Sequence, residues 1–122
     1  MGHILPLNLT VEKMSDIDLE KNFVKKPVIF GKQNYYPVFA KRIDKFKDFL
    51  FSELIDVNNI DDFVMGGVTT SWLIAIAILD YSDNEFYKAE MVTLIKENWD
   101  EENFKNFLNY IKNEQPFIEY FK

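Results

Sequence analysis

The chain has no cysteine, one histidine, and only four glycines and four prolines among its 122 residues. Each scarcity excludes something. Without thiols there is no disulfide framework, no thiolate nucleophile and no sulfur ligand for a zinc site. With His3 as the sole imidazole, neither a serine-histidine pair nor a histidine metal cluster can be drawn. Long hydrophobic runs are missing too: the longest nearly apolar stretch, residues 71–79, falls far short of the ~20 residues a membrane helix needs. Ile4, Leu5 and Leu7 near the start have no basic segment before them and no small-residue cleavage pattern after them, so a signal peptide is not expected. Cytoplasmic residence is the default expectation.

What is present argues for a packed core. Hydrophobic residues make up 48% of the chain and aromatics 16%, twelve of them Phe, which is too apolar for intrinsic disorder. At this length about two thirds of the unfolded surface can be buried. No repeat, linker or low-complexity tract divides the sequence, so residues 1–122 are expected to form one globular domain.

The formal net charge of −6 is unevenly distributed. Residues 1–52 hold nine Lys/Arg against six acids, a net +3, whereas residues 53–122 hold five Lys against fourteen acids, a net −9. A chain polarised in this way can present an acidic face that repels nucleic acid and steers a basic protein toward it. The plainer alternative is a solubilising surface.

Pro27, Gly31, Pro37, Gly66, Gly67 and Pro116 punctuate the chain. A short helix is expected over residues 15–23, with Ser15 and Asp18 at its start. Val28-Ile29-Phe30 and Tyr35-Tyr36-Pro37-Val38-Phe39, joined by the turn-like residues 31–34, predict a minor β-hairpin near residues 28–39. From Pro37 onward Ile43, Phe46, Phe49, Leu50 and Leu54 form the apolar stripe of an amphipathic helix. Residues 56–62 read as a polar loop or acidic turn, and Gly66-Gly67 as the end of whatever Phe63-Val64-Met65 begins. Residues 69–81 fit both a buried helix and a central strand. Ala75, Ala77 and the candidate caps Thr69 and Thr70 select the helix, while Trp72 and the isoleucines keep the strand open. Ser82 and Glu85 stand in the relation of a capping box ahead of the stripe Tyr87, Met91, Leu94 and Ile95. Asp100 caps a last helix with Phe104, Phe107, Leu108 and Ile111 on one face, and Phe117, Ile118, Tyr120 and Phe121 form an apolar tail expected to dock on the body. The fold class is therefore mainly α, a small single-domain helical bundle with a minor β-hairpin. The alternative is an α+β fold with residues 71–79 as a central strand.

No constellation identifies a chemistry. Asp80, Ser82 and Asn84 match the first, third and fifth positions of a calcium loop, but Glu85 replaces the required glycine and Met91 the bidentate glutamate. Gly66-Gly67 precedes a helix without the lysine of a P-loop or the third glycine of a dinucleotide fingerprint. Lys41, Arg42, Lys45 and Lys47 are the best nucleic-acid candidates, yet the acidic remainder opposes phosphate binding. Twenty acids leave open a small enzyme working by carboxylates alone.

A small, acidic, cysteine-free single domain rich in Phe, Ile, Asn and Lys and lacking a catalytic set resembles the immunity proteins of bacterial contact-dependent inhibition and related polymorphic-toxin systems. The resemblance is one of general character and carries no motif. It implies a cytoplasmic, non-catalytic protein that binds and neutralises one cognate toxin domain, commonly a basic nuclease, without any cofactor, metal, membrane or nucleic acid. The acids expected to meet that basic surface are Asp56, Asp61 and Asp62, then Asp80, Asp83 and Glu85, then Asp100, Glu101 and Glu102. A second expectation is a regulatory or homo-oligomeric structural protein whose tail packs against another copy.

Overall fold

Thr70–Tyr81 decides the architecture. It is a helix, and the residues from Thr70 to Leu79 are all buried. A helix that is apolar on every side is stable only when other elements surround it. The computed structural model, which describes residues 4–24, 31–65, 68–114 and 117–122, places such a shell around it. In chain order the elements are α1 (Leu9–Glu12), α2 (Asp16–Val24), a 3-10 turn (Lys32–Asn34), α3 (Tyr36–Lys41), α4 (Ile43–Ile55), α5 (Val57–Ile60), β1 (Phe63–Met65), β2 (Val68–Thr69), α6 (Thr70–Tyr81), α7 (Glu85–Asn98), α8 (Glu101–Ile111) and a second 3-10 helix (Phe117–Phe121). Helices α3, α4, α5 and α7 pack on α6. The molecule is mainly helical, and the central-strand alternative for residues 71–79 is set aside.

Local chemistry explains the start of α6. Thr69 has extended backbone and its Oγ1 accepts from the Trp72 amide at 3.2 Å, which makes it the N-cap. The two buried hydroxyls that follow are satisfied. Thr70 Oγ1 donates to Asp62 Oδ2 at 2.8 Å and Ser71 Oγ to the Leu54 carbonyl at 2.9 Å. The same carbonyl accepts from Trp99 Nε1 at 3.1 Å, so one orphan acceptor at the end of α4 ties α4, α6 and the end of α7 together.

Four expectations need correction. The hairpin near residues 28–39 is not formed in its described part: Lys32–Asn34 is a 3-10 turn and Tyr36–Lys41 a helix, while residues 28–30 lie outside the described residues. The physical reason is burial without alternation. The residues from Tyr35 to Ala40 are all buried, and Pro37 fits the first turn of a helix. The only described strand pairing is antiparallel, with Phe63 opposite Thr69 and Met65 opposite Val68. Second, the amphipathic helix from Pro37 is interrupted at Arg42, whose φ of −107° and ψ of 33° separate α3 from α4. The Arg42 guanidinium donates to Asp16 Oδ1 at 2.9 Å and to the Glu12 and Met14 carbonyls at 2.8 Å each, fastening the α1–α2 junction to this elbow. Third, residues 57–60 are one helical turn capped by Asp56. Fourth, the capping box gives way to Asn84, whose Oδ1 accepts from the Tyr87 amide at 3.0 Å, while Ser82 closes α6.

The apolar stripes behave as their spacing requires. Ile43, Phe46, Leu50 and Leu54 are buried on α4, Met91 and Ile95 on α7, Phe107 and Ile111 on α8, and Asp100 caps α8 through the Asn103 amide at 2.8 Å. The aromatics divide into two groups. Phe23 packs edge-on against Tyr35, Tyr36, Phe39 and Phe49, and Phe107 is surrounded by Trp72, Trp99 and Phe121. The C-terminal segment docks on α7 and α8 of its own chain, with Phe121 buried.

Candidate functional site

The sequence nominates nine carboxylates from three separate segments, and the fold sorts them. Asp61 ends α5, Asp100 caps α8 and Glu102 stands in the first turn of α8. These three line one groove of ≈ 530 Å³ between α5, the start of α6 and α8. Trp72 forms part of its wall, with its indole Nε1 donating to Asn103 Oδ1 at 2.8 Å. Asn103 also receives the Asp100 cap at its amide, so one side chain and its own backbone join the wall of the groove to its acidic mouth. Asp62 and Glu101 are exposed and adjacent in sequence to these residues.

The other nominated acids lie elsewhere. Asp56 caps α5 at the Asn58 amide, 2.9 Å. Asp80 Oδ2 accepts from the Leu5 amide at 2.9 Å, and the Tyr81 hydroxyl donates to the carbonyl of the same residue, so the end of α6 holds the N-terminal segment by both its backbone groups. Asp83 shares a shallow hollow with Asp80, Tyr81 and the cationic Lys41. Glu85 accepts from the Tyr120 hydroxyl at 2.8 Å and pairs with Lys88 at 3.3 Å. That hydroxyl holds the Glu85 carboxyl below its ordinary value, against the upward push of burial and with help from Lys88.

Pairing neutralises part of the charge. Lys41 pairs with Glu12, Arg42 and Lys45 with Asp16, and Lys47 with Glu90, so the cations of α3 and α4 are neutralised within the fold. Lys45 and Arg42 accordingly hold Asp16 below its ordinary pKa, the Lys45 hydrogen bond contributing most. Among the described residues, Asp61, Asp62, Asp100, Glu101 and Glu102 have no such cation within ion-pair distance. Lys105, one turn beyond Glu101 on α8, is the nearest compensating charge in sequence.

Sequence reasoning missed Asn103, Asn106 and Tyr110. Asn106 lines the groove, and Tyr110 is half-exposed with its ring 5.6 Å from that of Trp72. A signal was there: asparagine is a poor helix former, and three of them lie within α8. Among the described residues no three His, Asp or Glu side chains gather closely enough to hold a metal ion, and no helix is long and apolar enough to cross a membrane. Comparison with protein families, with curated proteins and with solved structures finds no match for this chain.

Proposed function

We propose that this chain is a non-catalytic binding module that neutralises a basic protein, in the manner of an immunity protein covering a toxin domain. The observation that carries this reading is the acidic groove of Asp61, Asp100 and Glu102, with no cation in ion-pair reach among the described residues, beside an aromatic wall, on a molecule whose Lys41, Arg42, Lys45 and Lys47 are paired internally. A partner's Lys or Arg side chains would find carboxylates without an internal cation, so no internal ion pair has to be broken on binding. Aromatic support beside the charges would hold the complex once electrostatics has brought it together.

The test is functional. The gene adjacent to this one in its own organism is expressed with and without this chain. A cationic product that arrests growth alone, is tolerated when both are present and co-elutes with this chain at low salt supports the reading. Charge reversal at two non-capping positions, Asp61→Lys with Glu102→Lys, should then restore toxicity while leaving the circular dichroism spectrum unchanged. Failure of any basic protein to associate at low ionic strength would sink the proposal.

A further inference from the structure

We propose that the flank of α8 bearing Tyr110, next to the groove, is the surface on which the partner sits, with Tyr110 as its anchor and the groove receiving an arginine or lysine from a partner loop. The inference rests on the reading above that the partner is a cationic protein, and it is carried by different observations. Tyr110 is 49% exposed, yet its ring lies against Trp72, which packs edge-on to Phe107 at 5.7 Å, itself in contact with Trp99 and Phe121. An exposed ring backed by buried rings is already ordered, so docking on it loses little side-chain freedom.

The stripe beside Tyr110 breaks a local rule. Glu102, Asn106, Asn109 and Asn113 fall at i, i+4, i+7 and i+11, which puts them along one line of the helix and the turn that follows, and all four are exposed. Asparagine disfavours helix because its carboxamide competes for backbone groups. Here that cost has no internal return: among the described residues the carboxamides of Asn106 and Asn109 make no hydrogen bond, unlike Asn103. A local preference broken at a solvent face, where packing dictates nothing, marks a surface shaped for something outside the molecule. Free carboxamides around an aromatic ring suit a protein surface. Charge complementarity selects a cationic one: phosphates would meet Asp61 and Glu102, the exposed Lys105 and Lys112 fall on the opposite flank of α8, and a second copy in a two-fold contact would set the acidic groove against itself.

The probe is a nona-arginine peptide titrated into the isotope-labelled full-length chain, with nona-glutamate as control. The chain has two tryptophans and hence two indole N–H resonances. The Trp72 resonance should shift to saturation while that of Trp99, locked on the Leu54 carbonyl, stays still. Tyr110→Ala should weaken binding roughly tenfold or more and Tyr110→Phe should recover most of it. Asn109→Ala should raise Tm and weaken binding together, a combination that a purely structural role would not produce. If the peptide binds but Tyr110→Ala is neutral and Trp72 does not move, this inference falls and the cationic-partner reading survives. Absence of binding to the peptide at low salt removes both. Binding of a single-stranded oligonucleotide, or self-association abolished by Tyr110→Ala, would overturn the choice of occupant.

Discussion

Two neighbouring tyrosines show how much one hydroxyl partner decides. Tyr35 and Tyr36 are both fully buried, but Tyr36 donates to Glu53 Oε1 at 3.3 Å, whereas the Tyr35 hydroxyl has no hydrogen-bond partner among the described residues. Burial raises the pKa of both phenols, and at Tyr36 the Glu53 charge adds to it. Leaving a buried hydroxyl unpaired costs free energy that a methine would not, so Tyr35→Phe should be neutral or stabilise by about 1 kcal/mol in urea unfolding. Tyr36→Phe, which orphans no cation and frees a partly exposed carboxylate, should cost under about 1.5 kcal/mol. At the other end of the molecule Glu85 supplies a pH dependence. Its folded-state pKa lies below its ordinary value of 4.5, so its contribution to stability is present above that value and is lost as pH falls through the folded one. Glu85→Gln should therefore flatten the loss of Tm on acidification below about pH 4.5. Tyr120→Phe should flatten it too, and the double variant no further, because the two changes remove one hydrogen bond.

At the scale of elements, the elbow at Arg42 is the point where sequence reading and structure part most instructively. The stripe from Ile43 to Leu54 was legible because α4 has water on one side and α6 on the other, and only a half-buried helix writes a period of 3.6 into its sequence. Helices α3 and α6 have no such contrast: ten successive buried residues on α6 look the same to a strand rule and to a helix rule, and the buried run on α3 looked like a hairpin. The Asn84 cap was hidden by a competing pattern two residues earlier. A guanidinium fork reaching carbonyls thirty residues away cannot be inferred from spacing at all. Arg42→Lys keeps the charge and loses the fork. It should lower stability by about 1–3 kcal/mol while leaving the helical content intact, measured by chemical denaturation alongside circular dichroism.

Over the whole molecule, the charge split of the sequence is redistributed by folding. Lys41, Arg42, Lys45 and Lys47 of the first half are absorbed by Glu12, Asp16 and Glu90, while Asp61, Asp100 and Glu102, which have no such partner among the described residues, meet at one groove between α5 and α8. The acids themselves were legible in the sequence, but which of them share a groove was not, because Asp61 and Glu102 are brought together only by the packing of α5 and α8 around α6. If this face steers a basic partner, the association rate constant should fall roughly tenfold between about 0.02 and 0.5 M salt, while dissociation changes much less. Stopped-flow mixing at several salt concentrations would measure both, and a salt-independent encounter would argue that the acidic groove plays no part in it.

The position of α6 in the chain has a further outcome for biosynthesis. The helix on which α3, α4 and α5 rest is made after all three, and Asp80, which clasps Leu5, follows it by 75 residues. Helices α3, α4 and α5 thus emerge from the ribosome with the apolar faces that rest on α6 unaccompanied, and cannot settle until α6 has followed them. Such an order of synthesis leaves a window in which a chaperone has something to hold.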